Sequence, residues 1–263
     1  MKQTRQVLSV RLSAIAFALI ASQGAFADDD ESGGCVGLPS QAQLKAALVN
    51  AVTVETSGLN FQMWATVVDR DGVVCAVAFS GADRGSQWPG SRVISAQKAN
   101  TANAFSLDGL ALSTANLYSA VQPGGSLYGL QHSNPVDTGV AYRGPSASYG
   151  RTSDPMVGKK IGGVNVFGGG LALYNSARRV VGAVGVSGDT SCADHNIGWR
   201  VRHNLILDYV PAGVSGDSRR PDNIVFDISP NPSGGTGISA GGFGHPTCIN
   251  TSDPKVFPLP PVR

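Results

Sequence analysis

Two β-branched runs meet at Asp69-Arg70-Asp71-Gly72 in the stretch "MWATVVDRDGVVCAVAFSG", Met63 to Gly81. Aspartates bond their own backbone locally and glycine tolerates positive φ, so this spacing predicts an antiparallel hairpin. The elements on either side then set the order of the fold. Upstream, "LPSQAQLKAALVNAVTVET" predicts a helix: Ser40 and Gln43 make a capping box, and Leu44, Ala47, Leu48, Ala51 and Val52 share one face. Downstream, "PGSRVISAQKANTANAFSL" predicts a second helix, with Ile94, Lys98, Thr101 and Phe105 along one stripe.

From about residue 121 to 160 the chain turns to Gly, Pro, Ser and Asn. A loop that long inside a compact domain is either functional or flexible. β character returns with strands near Val164–Phe167, Leu171–Tyr174 and Arg179–Val186. "SCADHNIGWRVRHNLILDYV" predicts a closing helix, capped by Ser191 with Asp194 and buried along Ala193, Ile197, Val201 and Leu205. Beyond Pro211 a Pro/Gly-rich tail is irregular except for a strand at Ile224–Ile228. The order is helix, two strands, helix, three strands, helix.

The first 27 residues read as a cleavable secretory signal. Lys2, Arg5 and Arg11 precede the apolar run Leu12–Ile20 and a small-residue cut at Ala25-Phe26-Ala27. Removing them takes away three cations and no acid, so the formal charge falls from +2 to −1. That balance excludes the concentrated basic face of a nucleic-acid binder. The mature chain is expected to be periplasmic or secreted, without membrane insertion: a domain over 28–210, an inserted loop at about 133–160, and an extension over 211–263.

Cys35, Cys75, Cys192 and Cys248 all lie in that mature chain. An even count in an oxidising compartment favours two disulfides, for which three connectivities exist. The preferred one joins Cys35 to Cys75 and Cys192 to Cys248, pinning the tail to the body. A cysteine-ligated metal is the competing reading, disfavoured by spacing and compartment.

The stretch "VVGAVGVSGDTSCADHN", Val180 to Asn196, has the look of a site. It fails the nucleophile elbow, because Gly185-Val186-Ser187-Gly188 is followed by Asp189 rather than glycine in frame. It lacks the lysine of a phosphate-binding P-loop, and the element order supplies no parallel βαβ unit for a dinucleotide. What remains is a strand-to-helix corner. Its glycines serve close packing first, and an anion at the helix N-terminus second.

Four blocks together, "VVDRDGVVCAVAFSGADRGS", "SAQKANTANAF", "PGGSLYGL" and "GGVNVFGGG" with "RRVVGAVGVSGDTSCADHN", resemble the GlcG/HbpS-type haem-binding family in order and spacing. The resemblance covers roughly 39–132 and 161–210. It implies a profilin-like α+β fold with a five-stranded antiparallel sheet flanked by helices, a homo-oligomer, and haem as the ligand. It maps the family's second-helix block onto Lys98, Thr101 and Phe105, its glycine strand onto Gly182, Gly185, Val186, Ser187 and Gly188, and an acidic position onto Asp194.

Among candidate iron ligands His195 is best placed, one turn into the last helix, against a plain reading as a helix-start surface residue. His203 lies eight residues on, roughly 80° around the helix, so the two cannot ligate one metal together. His132, His245 and Met156 fall in loops and read mainly as surface. Lys98 reads as a lysine snorkelling to solvent, with a propionate or carboxylate partner at a subunit contact as the sharper alternative. Asp69 and Asp71 read as turn formers, and Trp64, Trp88 and Trp199 as core or interface. An exported haem-binding or haem-sequestering protein is the leading expectation. An enzyme acting on a small anionic metabolite, or slowly degrading haem, ranks lower because no complete nucleophile, base and orienting group is visible. An oligomeric interaction module is the third reading.

Overall fold

The computed structural model describes residues 34–250 and 259–263, so the expected signal peptide lies outside the described residues. Ser40 caps α1 (Gln41–Val54) as its sequence predicts. The Gln43 N–H donates to Ser40 Oγ, and the Ser40 N–H donates to the Gln43 side chain. The hairpin is β1 (Trp64–Asp69) and β2 (Val74–Phe79), paired antiparallel. Asp69 Oδ1 accepts the N–H groups of Asp71 and Val73 at 2.9 Å each, which is the turn-forming role expected of it.

β1 also pairs antiparallel with β4 (Val180–Ser187), and β4 with β3 (Gly170–Tyr174), giving the order β2-β1-β4-β3. Among the described residues the sheet therefore has four strands where five were expected. The missing one is Val164–Phe167, which runs as loop. Positive φ at Gly162 and Gly163 bends the chain there, and the Asn165 N–H donates to Thr101 Oγ1 (2.9 Å) instead of to a neighbouring strand.

Both faces of the sheet are covered. Leu44, Leu48 and Ala51 of α1 join Ile197 and Val201 of α5 (Ser191–Asn204) over Val67, Val184, Val186 and Leu171. On the other face Val93, Ala96, Ala99 and Ala102 of α2 (Ser91–Ala104) pack on Trp64, Val68, Val77 and Ala183. Strands buried on two sides need no polar face, which is why β1, β3 and most of β4 read as continuous apolar runs.

The close contact of α2 with β4 depends on Gly185. A Cβ at this position would stand 1.9 Å from the Ser95 carbonyl oxygen and 2.5 Å from the Ala99 nitrogen, both helix backbone. Gly185→Ala should therefore lower stability by about 1–3 kcal/mol through overpacking. The chemical-denaturation midpoint reads this directly, and an unchanged midpoint would show that α2 can shift away freely.

The glycine-rich segment after α2 is anchored to the core. Arg92 forms a buried ion pair with Asp154, donates to the Ala141 carbonyl (2.7 Å) and stacks 3.6 Å from the Tyr149 ring centroid. Two single-turn helices, α3 (Leu130–Ser133) and α4 (Thr138–Ala141), interrupt this segment. Met156, expected at the surface, is fully buried under the hairpin.

The tail is likewise held. Arg202 donates twice to Asp222, at 2.6 and 2.8 Å, with both side chains fully buried. The strand expected at Ile224–Ile228 shortens to β5 (Ile228–Ser229), paired with β6 (Ile238–Ser239). Cys35–Cys75 and Cys192–Cys248 are the disulfides, so the preferred pairing is the one found and all four thiols are consumed.

Candidate functional site

The strand-to-helix corner after β4 is organised by Asp194. Thr190, one residue earlier than expected, caps α5 by accepting the Ala193 N–H. Asp194 Oδ1 accepts the Asp189 N–H (2.9 Å), and its Oδ2 takes Lys98 Nζ at 2.6 Å. Lys98 also donates to the Val186 carbonyl (3.2 Å) and lies 4.8 Å from the Phe167 ring centroid. The expectation of a snorkelling lysine is overturned: Lys98 has no exposure, because α2 lies flat on the sheet and directs that side chain inward.

Burial governs both charges. It pulls the Lys98 pKa down against the attraction of Asp194, and pushes Asp194 up to about 6 against the attraction of Lys98. The Gly168–Gly170 turn closes over this pair. A Cβ at Gly169 would stand 2.3 Å from the Val186 carbonyl oxygen and 3.0 Å from Lys98 Nζ, and its φ of +121° also disfavours any side chain.

His195 follows Asp194 and is fully buried, not the surface residue of its plain reading. Neither ring nitrogen has a well-formed hydrogen bond, and the ring centroid is 6.1 Å from that of Trp199. Burial lowers its pKa to about 3, outweighing the attraction of Asp222 and a contact with the Asn223 side chain. The imidazole is therefore neutral at neutral pH.

The other candidates spread out from this centre. Gly185 sits under α2, and Ser187 ends β4 opposite Trp64. Gly188 packs against the Gln62 carbonyl and Met63. Thr101 donates to the Gln97 carbonyl and accepts from Asn165, while Phe105 packs beside Leu117, Val121 and Val166. Thus Lys98, Asp194 and the Val186 carbonyl converge beside His195, whereas Thr101 and Phe105 hold the loop at the far end of α2. His132 is exposed, and His203 pairs with Asp208 at 2.7 Å.

His245 is another residue that sequence reasoning misplaced. It is 1% exposed rather than at the surface. Its Nε2 is 3.1 Å from Ser191 Oγ, its Nδ1 is 2.7 Å from the Pro246 carbonyl, and its ring centroid is 5.1 Å from that of Tyr118. Burial pulls its pKa down to about 4. The signal available was indirect: Cys248 lies three residues beyond His245 and Cys192 adjoins Ser191, so their disulfide brings the two together. The Arg202–Asp222 pair left no signal at all.

A buried neutral imidazole with one unengaged nitrogen lone pair has the donor chemistry that binds haem iron. A cavity of about 320 Å³ is lined by residues of the 118–126 segment and the tail, another of about 310 Å³ by the tail alone, and His195 lines neither. His195 thus has the donor chemistry for haem iron but neither cavity beside it, the ring being fully buried.

A mixed α+β domain with an antiparallel sheet between helices, enclosing a neutral imidazole next to an ion pair, is the class defined here. Residues 41–200 match the family described as haem degrading protein HbpS-like, and the chain belongs to that family. The matched segment stops within α5, so Asp222, His245 and Cys248 lie beyond it. The chain is similar to the crystal structure of Klebsiella pneumoniae protein ORFY at 27% identity and TM-score 0.43, over 64% of this chain and 90% of that one. It is also similar to a PduOC–haem complex (23%, TM-score 0.43, 62% and 89%) and to HbpS (15%, TM-score 0.40, 62% and 84%). No curated protein matches significantly.

Proposed function

We propose that this protein binds haem, with His195 as the residue that would hold its iron, and that it does so as an exported haem-binding or haem-sequestering protein. The observation that carries this reading is the His195 ring: fully buried, neutral and without a good hydrogen-bond partner, inside the family-matched segment. A structural histidine in a core normally has its nitrogens satisfied. Haem would supply an iron with an open coordination position. Asp194, fixed by Lys98, sets the start of α5 and so the place of the imidazole. Lys98 acts here through Asp194, its ammonium being already engaged.

Asp222, Asn223 and His245 of the tail all act on His195, so haem entry requires the tail to yield locally. Two disulfides, and the absence of any membrane-crossing helix among the described residues, are consistent with export. Titrating hemin into the oxidised protein should give a saturable Soret shift at a defined ratio. His195→Ala should weaken it at least tenfold, and light scattering on the same samples reads the expected homo-oligomer. Unsaturable adsorption, or equal affinity in the variant, would remove His195 from the reading.

A further inference from the structure

Ser191 and His245 form an arrangement that the haem reading does not use. Ser191 is half-buried at the first position of α5, and its Oγ is 3.1 Å from His245 Nε2. The Pro246 carbonyl, 2.7 Å from Nδ1, can only accept, so Nδ1 carries the proton and Nε2 presents its lone pair to the serine. Tyr118 packs against the imidazole and holds its plane. A nucleophile, a base and a group that orients the base are therefore all present, which is the logic of serine hydrolases.

We propose that Ser191 and His245 constitute a catalytic dyad that hydrolyses small carboxylic esters with apolar acyl groups. The acyl preference follows from the neighbouring cavity of about 310 Å³, whose wall includes His245, Pro246, Phe226, Ile228 and Pro230. Its size admits a short chain. Ser191 Oγ attacks the ester carbonyl carbon as His245 Nε2 takes the hydroxyl proton. The C–O bond to the alcohol then breaks, and His245 returns that proton to the departing alkoxide, leaving an acyl-serine and a free alcohol. Water, deprotonated by the same Nε2, attacks the acyl-serine, and the acid leaves as Ser191 regains its proton. Negative charge develops at the N-terminus of a fourteen-residue helix, whose dipole favours it.

Ser191 lies within the matched family segment and His245 beyond it, so the base of the dyad comes from this chain's own extension. The Cys192–Cys248 disulfide, flanking both residues, holds the two segments in register. The proposal is independent of haem and is tested without it.

The experiment treats the oxidised, haem-free protein with a fluorophosphonate probe and maps the adduct by mass spectrometry. Hydrolysis of p-nitrophenyl butyrate is followed in parallel. One adduct per chain on Ser191 is expected, absent in S191A. General-base catalysis contributes about 10²–10⁴-fold, so H245Q should slow both labelling and hydrolysis at least 100-fold. Circular dichroism and an intact Cys192–Cys248 bond establish that each variant is folded. Should H245Q fail to fold, S191A and S191C still decide, since the former must lose labelling and the latter must take a thiol-directed probe in a pH-dependent way. Adducts elsewhere, or wild-type hydrolysis by folded S191A, would reduce the pair to a structural hydrogen bond and overturn the proposal.

Discussion

Asp194→Ala will cost the fold about 3–5 kcal/mol, the range for removing one partner of a buried ion pair. Lys98 would keep only the Val186 carbonyl as a hydrogen-bond partner, at a place with no access to water. The start of α5 would also lose the carboxylate that holds the Asp189 N–H. For a chain of this size each kcal/mol moves Tm by about 2–4 °C, so a drop of about 10 °C is expected. The double variant Lys98→Met/Asp194→Leu should recover most of it, because two apolar side chains of similar volume leave no charge unpaired. Thermal unfolding of the two proteins tests this. A loss below about 1 kcal/mol in Asp194→Ala would mean that Lys98 sheds its proton or reaches solvent.

Acidification from pH 7 to pH 5 will lower stability by about 2–3 kcal/mol. His195 and His245 have folded pKa values depressed to about 3 and about 4. A depressed group contributes stability that is present above its unfolded value and lost as pH falls toward its folded value. With an unfolded value near 6.5, each histidine therefore loses about 2 kcal/mol by pH 5. Asp194 works in the opposite sense. Its folded pKa, raised to about 6, makes the native state bind a proton before the unfolded state does, returning about 1 kcal/mol over the same interval. Urea denaturation at pH 7, 6 and 5 measures the sum, and His195→Gln should remove roughly half of the histidine contribution. A flat profile would show that both imidazoles become solvated before the protein unfolds, as when the tail lifts.

Much of the frame was legible in local pattern. The capping box of Ser40 with Gln43, the Asp69–Gly72 turn, β3 and β4 follow from short-range chemistry and are found, and the disulfides are the preferred one of three possible pairings. The Val164–Phe167 strand misled because apolar residues in a short run do not reveal who takes their backbone hydrogen bonds. Here Thr101, sixty-four residues away in the chain, takes one.

The site was legible in outline only. Its expected location beside the glycine strand and the start of the last helix could be read, as could His195 as a candidate ligand. The state of each side chain could not. Lys98 reads as exposed because a lysine in an apolar stripe normally reaches water, and His245 and Met156 because glycine-rich segments normally lie outside. Each is buried, since distant segments cover it.

What the sequence determined by itself is the main helices, the hairpin and the two strands of the glycine-rich region, in their order, because turn chemistry, helix capping and apolar periodicity act over a few residues. Only the tertiary structure decided which polar groups face one another: Lys98 with Asp194, Arg92 with Asp154, Arg202 with Asp222, and Ser191 with His245. These partners are separated by 20 to 96 residues. No local rule joins groups so far apart; they meet because the helices cover both faces of the sheet and a disulfide draws the tail back onto α5.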